Sequence, residues 1–194
     1  MNIAIVKYNA GNIRSVLHAL ERLGIEGQIT EDTADLLMAD KVIFPGVGEA
    51  SSAIKYLQER GLDRVITSLK QPVLGICLGQ QLLCKHSEEN DADCLHIYDL
   101  DVKKFPPRDK VPHMGWNKIT GLKGPLYEGI GEGSYVYFVH SFFAELGEDT
   151  TAQTDYIVPF SASLRKANFF ATQFHPEKSG EVGARILENF IRNT

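Results

Sequence analysis

Gly75-Ile76-Cys77-Leu78-Gly79 sets a cysteine between two glycines, directly after the apolar run Pro72-Val73-Leu74. The residues that follow, Gln80-Gln81-Leu82-Leu83-Cys84, read as helix. Apolar strand, tight glycine-flanked turn and helix make the layout of a nucleophile elbow, with Cys in the place of Ser. The glycines leave room where neighbouring Cβ atoms would clash on a strained turn. The turn lifts the sulfur clear of the sheet to a helix N-terminus, where partial positive charge favours the reactive thiolate. A buried cysteine in a sheet core fits the same pentapeptide equally well. The stretch Gln173-Phe174-His175-Pro176-Glu177 bears on that choice. Pro176 disfavours helix and keeps His175 extended, and residues two apart in extended chain share a side. Glu177 can then take the Nδ1 proton of His175 and leave Nε2 to face a thiol. Alone, His-Pro-Glu also fits a surface turn. Paired with an elbow cysteine, the set reads as nucleophile, base and orienting acid, a catalytic triad of Cys77, His175 and Glu177.

These groups lie far apart in the chain, so a sheet with helices must bring them together. The first half alternates short β-like runs with helical patterns. Asn2–Lys7 reads as a strand, Asn12–Leu23 as a helix, Glu26–Thr30 and Lys41–Phe44 as strands, and residues 51 to about 60 as a helix. Such alternation predicts a mostly parallel sheet covered on both faces, with sites beyond the carboxyl ends of its strands. Three loops fall there: Asn9–Asn12, Pro45–Gly48 and the Cys77 turn. From Leu95 to Phe170 the segments are short and punctuated by Gly, Pro and Asp, and Tyr135–Val139, Ala152–Val158 and Phe169–Gln173 read as strands, several of them antiparallel. A closing helix is expected over Gly180–Ile191.

The 194 residues, 43% of them hydrophobic, suit one domain over 1–194 with a sizeable core. No apolar run approaches the ~20 residues that span a bilayer, and Met1–Val6 looks like a first strand, not a signal peptide. Cys77, Cys84 and Cys94 are an odd set without paired spacing, which predicts free thiols, a reducing compartment and a cytoplasmic location. Cys84 reads as core, and Cys94 carries no signal. A net charge of −5 leaves no basic footprint for nucleic acid. Phosphate-loop and zinc spacings are absent, and His96 and His113 stand isolated, so neither metal nor cofactor is expected.

Pro-Gly-Val-Gly (45–48), Gly-Ile-Cys-Leu-Gly-Gln-Gln (75–81) and Gln-Phe-His-Pro-Glu-Lys-Ser (173–179) together resemble the class I, triad-type glutamine amidotransferases, a family of flavodoxin-like α/β fold. The resemblance runs from the first strand to the last helix. Val-Pro-His-Met-Gly-Trp-Asn (111–117), Tyr-Phe-Val-His-Ser (137–141) and Tyr-Asn-Ala-Gly-Asn (8–12) are similar to its histidine-pathway branch, the glutaminase half of imidazole glycerol phosphate synthase. The resemblance implies hydrolysis of L-glutamine to glutamate and ammonia through a Cys77 thioester. It implies an oxyanion hole from the backbone N–H groups of Val47, beside Gly48, and Leu78, the latter also expected from the elbow geometry. It implies glutamine contacts from Gly48, Gln81, Ser141 and Phe142. His140 is open between a second catalytic role and a structural one.

The partner implied is a (β/α)8-barrel cyclase that joins the ammonia to a ribulosyl aminoimidazole-carboxamide nucleotide. Asn12, Trp116 and Lys178 are candidates for the docking face, with core placement the alternative for Trp116. Four features depart from the family pattern: Gln80 in place of Met, Glu49-Ala50 after the glycine loop, Phe142 in place of Tyr, and no Gly-rich turn in 86–100. Of these, Gln80 and Phe142 bear on substrate grip or coupling, and the 86–100 difference reads as surface. Three other readings remain open: the same chemistry for another acceptor, a γ-glutamyl peptidase, and a silent scaffold that regulates a synthase.

Overall fold

The computed structural model describes residues 1–9 and 13–194. In chain order the elements of the first half are β1 (Ile3–Val6), α1 (Ile13–Arg22), β2 (Gly27–Thr30), α2 (Thr33–Met38), β3 (Lys41–Gly46), α3 (Ala50–Glu59), α4 (Leu62–Ser68), β4 (Val73–Cys77) and α5 (Leu78–Leu83). The second half adds β5 (His86–Ser87), β6 (Ala92–Asp93), β7 (Asp101–Lys104), β8 (His113–Lys118), β9 (Tyr135–His140), β10 (Phe142–Ala144), β11 (Thr150–Tyr156), β12 (Val158–Lys166), β13 (Phe169–Thr172) and α6 (Gly180–Asn193).

The main sheet runs β11-β12-β13-β4-β3-β1-β2. From β13 to β2 every neighbouring pair is parallel, while β12 and β11 add antiparallel strands at one side. The alternation along each strand explains the layers. Ile3, Ile5, Ile43, Leu74, Ile76 and Phe170 face α1 and α6, whereas Val6, Val42, Phe44, Val73 and Phe169 face α2 to α5. A strand buried on both faces must be apolar throughout, as Ile3–Val6 is. Beside this sheet lie a four-stranded sheet, β10-β7-β5-β6, and the β8–β9 ribbon. The observed architecture is therefore the α/β, mostly parallel arrangement expected from the sequence, with antiparallel additions.

The deviations have local causes. Helices α2 and α4 are missing from the sequence reading because six and seven residues are too few for a periodic signal. The strand read over Ala152–Val158 crosses a hairpin turn at Ile157, which holds φ 61°. No Gly or Asn marks that turn, and the longest strand, β12, went unread beyond it. Its interior serines are satisfied from outside the sheet, Ser161 Oγ donating to Glu145 O at 2.6 Å and Ser163 Oγ accepting from Tyr127 Oη at 2.6 Å. The 86–100 segment turns without glycine because Asn90 and Asp91 occupy the left-handed region at φ 55° and 50°. Glu49, unusual after the glycine loop, caps α3 by accepting from Ser51 N at 2.7 Å and Ser52 N at 3.0 Å. All three cysteines are free. Cys84 and Cys94 are buried away from the Cys77 turn, and burial pushes their thiols up, Cys94 to about 12. Among the described residues no helix is long and apolar enough to cross a membrane.

Helix α6 begins against the turn Pro176–Lys178, where the Gly183 position touches the Pro176 carbonyl so closely that a Cβ would collide with it. Helix propensity alone favours Ala over Gly by ~1 kcal/mol. Overcrowding costs ~1–3 kcal/mol and wins here. Gly183→Ala is expected to lower the urea midpoint at unchanged slope; a stabilised variant would mean that the turn yields freely.

Candidate active site

Cys77 ends β4 and α5 starts at the next residue, so no loop relieves the change of direction. The cysteine absorbs it at φ 55°, ψ −108°, a conformation that costs a non-glycine residue ~1–3 kcal/mol. Its glycine flanks are explained by close approach. A Cβ on Gly75 would lie 2.7 Å from Leu83 Cδ1 and 2.9 Å from Gly79 O, and one on Gly79 would collide with the Phe44 carbonyl of β3. The Cys77 Sγ lies 3.7 Å from Gln173 Nε2 and 3.9 Å from Val139 O.

Strand β13 runs beside β4 in the same direction, so the residues after it emerge next to Cys77. His175 is held there by its own backbone: its N–H donates to Tyr137 O at 2.9 Å, and its carbonyl accepts from Ser179 Oγ at 2.7 Å. His175 Nδ1 stands 2.7 Å from Glu177 Oε1, both side chains buried. The expected pairing therefore forms, by a different local path. His175 is extended, but Pro176–Lys178 is a 3-10 turn, and it is this turn that swings Glu177 back under the imidazole. Nε2 is buried and makes no conventional hydrogen bond; the group acting on it is the Cys77 sulfur. Burial opposes an imidazolium, yet the charge and hydrogen bonding of Cys77, and then of Glu177, raise the His175 pKa to about 10.

That shift has a signed consequence. A folded pKa raised from 6.5 adds stability in full below pH 6.5, and the contribution fades as pH climbs through about 10. Glu177→Gln removes part of the shift. The stability gap between wild type and variant is expected to be wider at pH 6 than at pH 10, measured by chemical denaturation. A gap that widens with pH would contradict the assignment.

The sulfur opens into a cavity of about 290 Å³ lined by Val47, Gly48, Leu78, Gln81, Ser141 and Phe142, together with Glu89, Pro112, Val139 and His140. The size lies just under that of drug-sized pockets, ~300–1,000 Å³, and suits an amino acid. Register explains the loop residues: Gly46 of β3 pairs with Cys77 of β4, so Val47 and Leu78 leave the sheet side by side. Gly48 holds φ 130°, open to glycine and strained for other residues. A larger cleft of about 390 Å³ between α1 and α6 lies behind Glu177, and Cys77 does not line it.

Gln81 spends both amide hydrogens internally, on Phe142 O at 2.9 Å and on Gln173 Oε1 at 3.0 Å. What it offers a ligand is Oε1, an acceptor. The carbonyls of Ser141 and Phe142 are likewise taken, the first by Phe105 N at 3.1 Å and the second by Gln81 and His140. Their remaining donors are N–H groups and the Ser141 hydroxyl. Gln80 points away from the cavity and donates to Ser161 O at 3.1 Å, so this departure serves the sheet, not substrate grip.

Three residues escaped the sequence reading. Gln173 sits in the quoted His175 motif but gave no sign that it bridges Gln81 and Cys77. Glu89 lies in a polar stretch without pattern; it accepts from Ala50 N at 2.8 Å, and burial raises its pKa. His113, read as isolated, stands 3.0 Å from His140 across the β8–β9 ribbon. Trp116 is not core: it is 55% exposed on the outer face of that ribbon, packed edge-on to Tyr137 and beside Gly180. Lys178 is exposed nearby, and Asn12 lies outside the described residues.

The model of the family "Glutamine amidotransferase class-I" matches residues 4–194. The imidazole glycerol phosphate synthase subunit HisH of Bacteroides fragilis strain YCH46 is 60% identical, over 98% of this chain and 99% of that protein. The HisH subunit of Pasteurella multocida is 45% identical, over 99% and 98%. Among solved structures, PurLQS from Thermotoga maritima superposes with a TM-score of 0.75 at 17% identity, covering 99% of this chain and 98% of that one. A Thermoplasma acidophilum protein described as a GMP synthase subunit gives a TM-score of 0.76 at 23% identity, covering 98% and 92%. The last two bear on the fold alone, whereas the family match and the near relatives cover the whole site: the chain belongs to the class-I glutamine amidotransferases, in the branch of the HisH subunits of imidazole glycerol phosphate synthase.

Proposed function

We propose that the chain, one amidotransferase domain over 1–194, hydrolyses L-glutamine at Cys77 and passes the ammonia to a (β/α)8-barrel cyclase, in the cytoplasm. The observation that carries this is a cysteine on a strained turn, opening to an amino-acid-sized cavity, with a histidine behind it whose Nδ1 is held by a buried carboxylate. His175 takes the thiol proton, and the Cys77 sulfur attacks the side-chain carboxamide carbon. The carbonyl electron pair moves to oxygen, where the N–H groups of Val47 and Leu78 are the proposed donors. The oxyanion collapses to a thioester as His175 returns the proton to the departing ammonia. Water, deprotonated by the same imidazole, then releases glutamate and restores the thiol. No metal or cofactor enters this scheme.

Polarity in the cavity suits the amino-acid end of glutamine. Gln81 Oε1 and the Glu89 carboxylate are acceptors for an α-ammonium, while N–H groups at Gly48, Ser141 and Phe142 suit the α-carboxylate. Trp116 and Lys178, with Met114 and Tyr135 also exposed on the ribbon, form the proposed docking face, to which Asn12 is assigned from sequence. The backbone of β9 touches both Cys77 and His175 from behind that face.

Cys77→Ser is expected to abolish glutamate release and glutamine-dependent synthesis by the complex, while synthesis from added ammonium salt continues. Retained glutamine use would remove Cys77 as nucleophile. Loaded cyclase is expected to raise glutamate release by the wild type strongly. Release indifferent to the cyclase would leave the hydrolysis intact and overturn the partner.

A further inference from the structure

His113 and His140 face each other across the β8–β9 register, and their neighbours fix every proton between them. The Phe142 carbonyl, 2.7 Å from His140 Nδ1, can only accept, so Nδ1 carries hydrogen and Nε2 is bare. Bare Nε2 lies 3.0 Å from His113 Nδ1, which must then be the donor. This leaves His113 Nε2 to accept from Asn117 Nδ2 at 3.3 Å, and Asn117 is itself tied to Asp155 O at 3.1 Å. The same Phe142 carbonyl receives Gln81 Nε2, and Gln81 leads through Gln173 to the Cys77 sulfur. A continuous chain of directed hydrogen bonds thus joins Asn117, beside exposed Trp116, to the proposed glutamine acceptor and the nucleophile.

We propose that His113 and His140 are positioning residues: a neutral, tautomer-locked pair that fixes the Phe142 carbonyl and thereby aims Gln81 Oε1 at the substrate's α-ammonium. This rests on the glutaminase reading of the cavity. Protonating either ring would set a donor against a donor, and the surroundings resist it. Phe105, Phe138 and Phe160 surround His140 at 5.1 to 5.6 Å, and Tyr156 and Phe138 stack on His113 at 4.0 and 4.8 Å. The ionisable groups around the pair are His175 and Tyr156, with Cys77 and Glu89 across the cavity that His140 lines. Burial lowers both pKa values, to about 4 for His113 and about 3 for His140, where the His113 and His175 charges add to the effect. Both rings are thus held neutral, and His140, with Nδ1 spent on the Phe142 carbonyl and Nε2 on His113, is placed to position groups and not to carry protons. Its place in the cavity wall is occupied by a ring whose Nδ1 and Nε2 are both already engaged.

The test compares wild type, His113→Phe and His113→Asn, each with the cyclase and its nucleotide ligand. Phe keeps a ring and removes the donor to His140, whereas the Asn amide restores an N–H donor at the Nδ1 position. Expected for Phe is a glutamine KM raised about tenfold with kcat within roughly threefold, because uniform binding is lost and not transition-state chemistry. Asn should recover most of that loss, and ammonia-dependent synthesis should be unchanged in both. In wild type, 15N–1H spectra should show both imidazoles neutral with hydrogen on Nδ1, and unchanged between about pH 5 and 9. A normal KM in His113→Phe, an Asn variant as impaired as Phe, or His140 carrying its hydrogen on Nε2 would each overturn the proposal. Failure of the wild type to release glutamate would instead overturn the glutaminase reading, and the spectra would still judge the pair.

Discussion

Strand β4 and helix α5 share no connecting loop, and α5 starts so close to β3 that the Gly79 position rests on the Phe44 carbonyl. This contact sets the rest of the site. With Gly79 pinned against β3 and Gly75 against Leu83, the turn is absorbed at Cys77, which takes up a backbone that a side chain rarely tolerates. Strain of this kind survives where surrounding structure over-determines it. Here the determinants are parallel pairing to β3 on one side and to β13 on the other. Those same neighbours end at Gly46 and Thr172, so the ladder that imposes the strain also delivers the glycine loop and His175 to the sulfur.

A second layer of order comes from carbonyls. Tyr137 O fixes the His175 backbone and Phe142 O fixes Gln81, both presented by the chain from β9 into β10. Beside the buried His175–Glu177 pair, N–H···O contacts to these carbonyls, which lose a partner only at a cost of ~1–3 kcal/mol, hold the site in place. The ribbon is thus both the outer wall that offers aromatics to solvent and the inner scaffold of the proposed triad.

Much of this was legible in the sequence. The Cys77 turn, the Cys77–His175–Glu177 set, the loop Pro45–Gly48 and Gln81 announce themselves because glycine, proline and short-range spacing carry geometry directly. What stayed hidden depended on pairings between distant segments. Glu89 reaches the cavity through a small sheet whose strands of two residues leave no pattern. His113 meets His140 only because β8 and β9 pair in one register, which a lone histidine in sequence cannot reveal. The strand β12 was lost behind Ile157, a β-branched residue at positive φ that no turn signature marks. The Pro176 turn shows the converse: the expected partner was right, although the backbone reached it by a 3-10 turn.

The three thiols are chemically unequal in a useful way. Burial holds the Cys84 and Cys94 thiols protonated, Cys94 at the edge of a small surface cleft beside α3 and α4, while the Cys77 sulfur opens into the proposed glutamine cavity. A small electrophile offered to the native protein therefore reacts at Cys77 ahead of the two thiols that burial keeps protonated. The incorporated label counts functional subunits in a preparation, and protection from it reports occupancy of the cavity without any turnover at all.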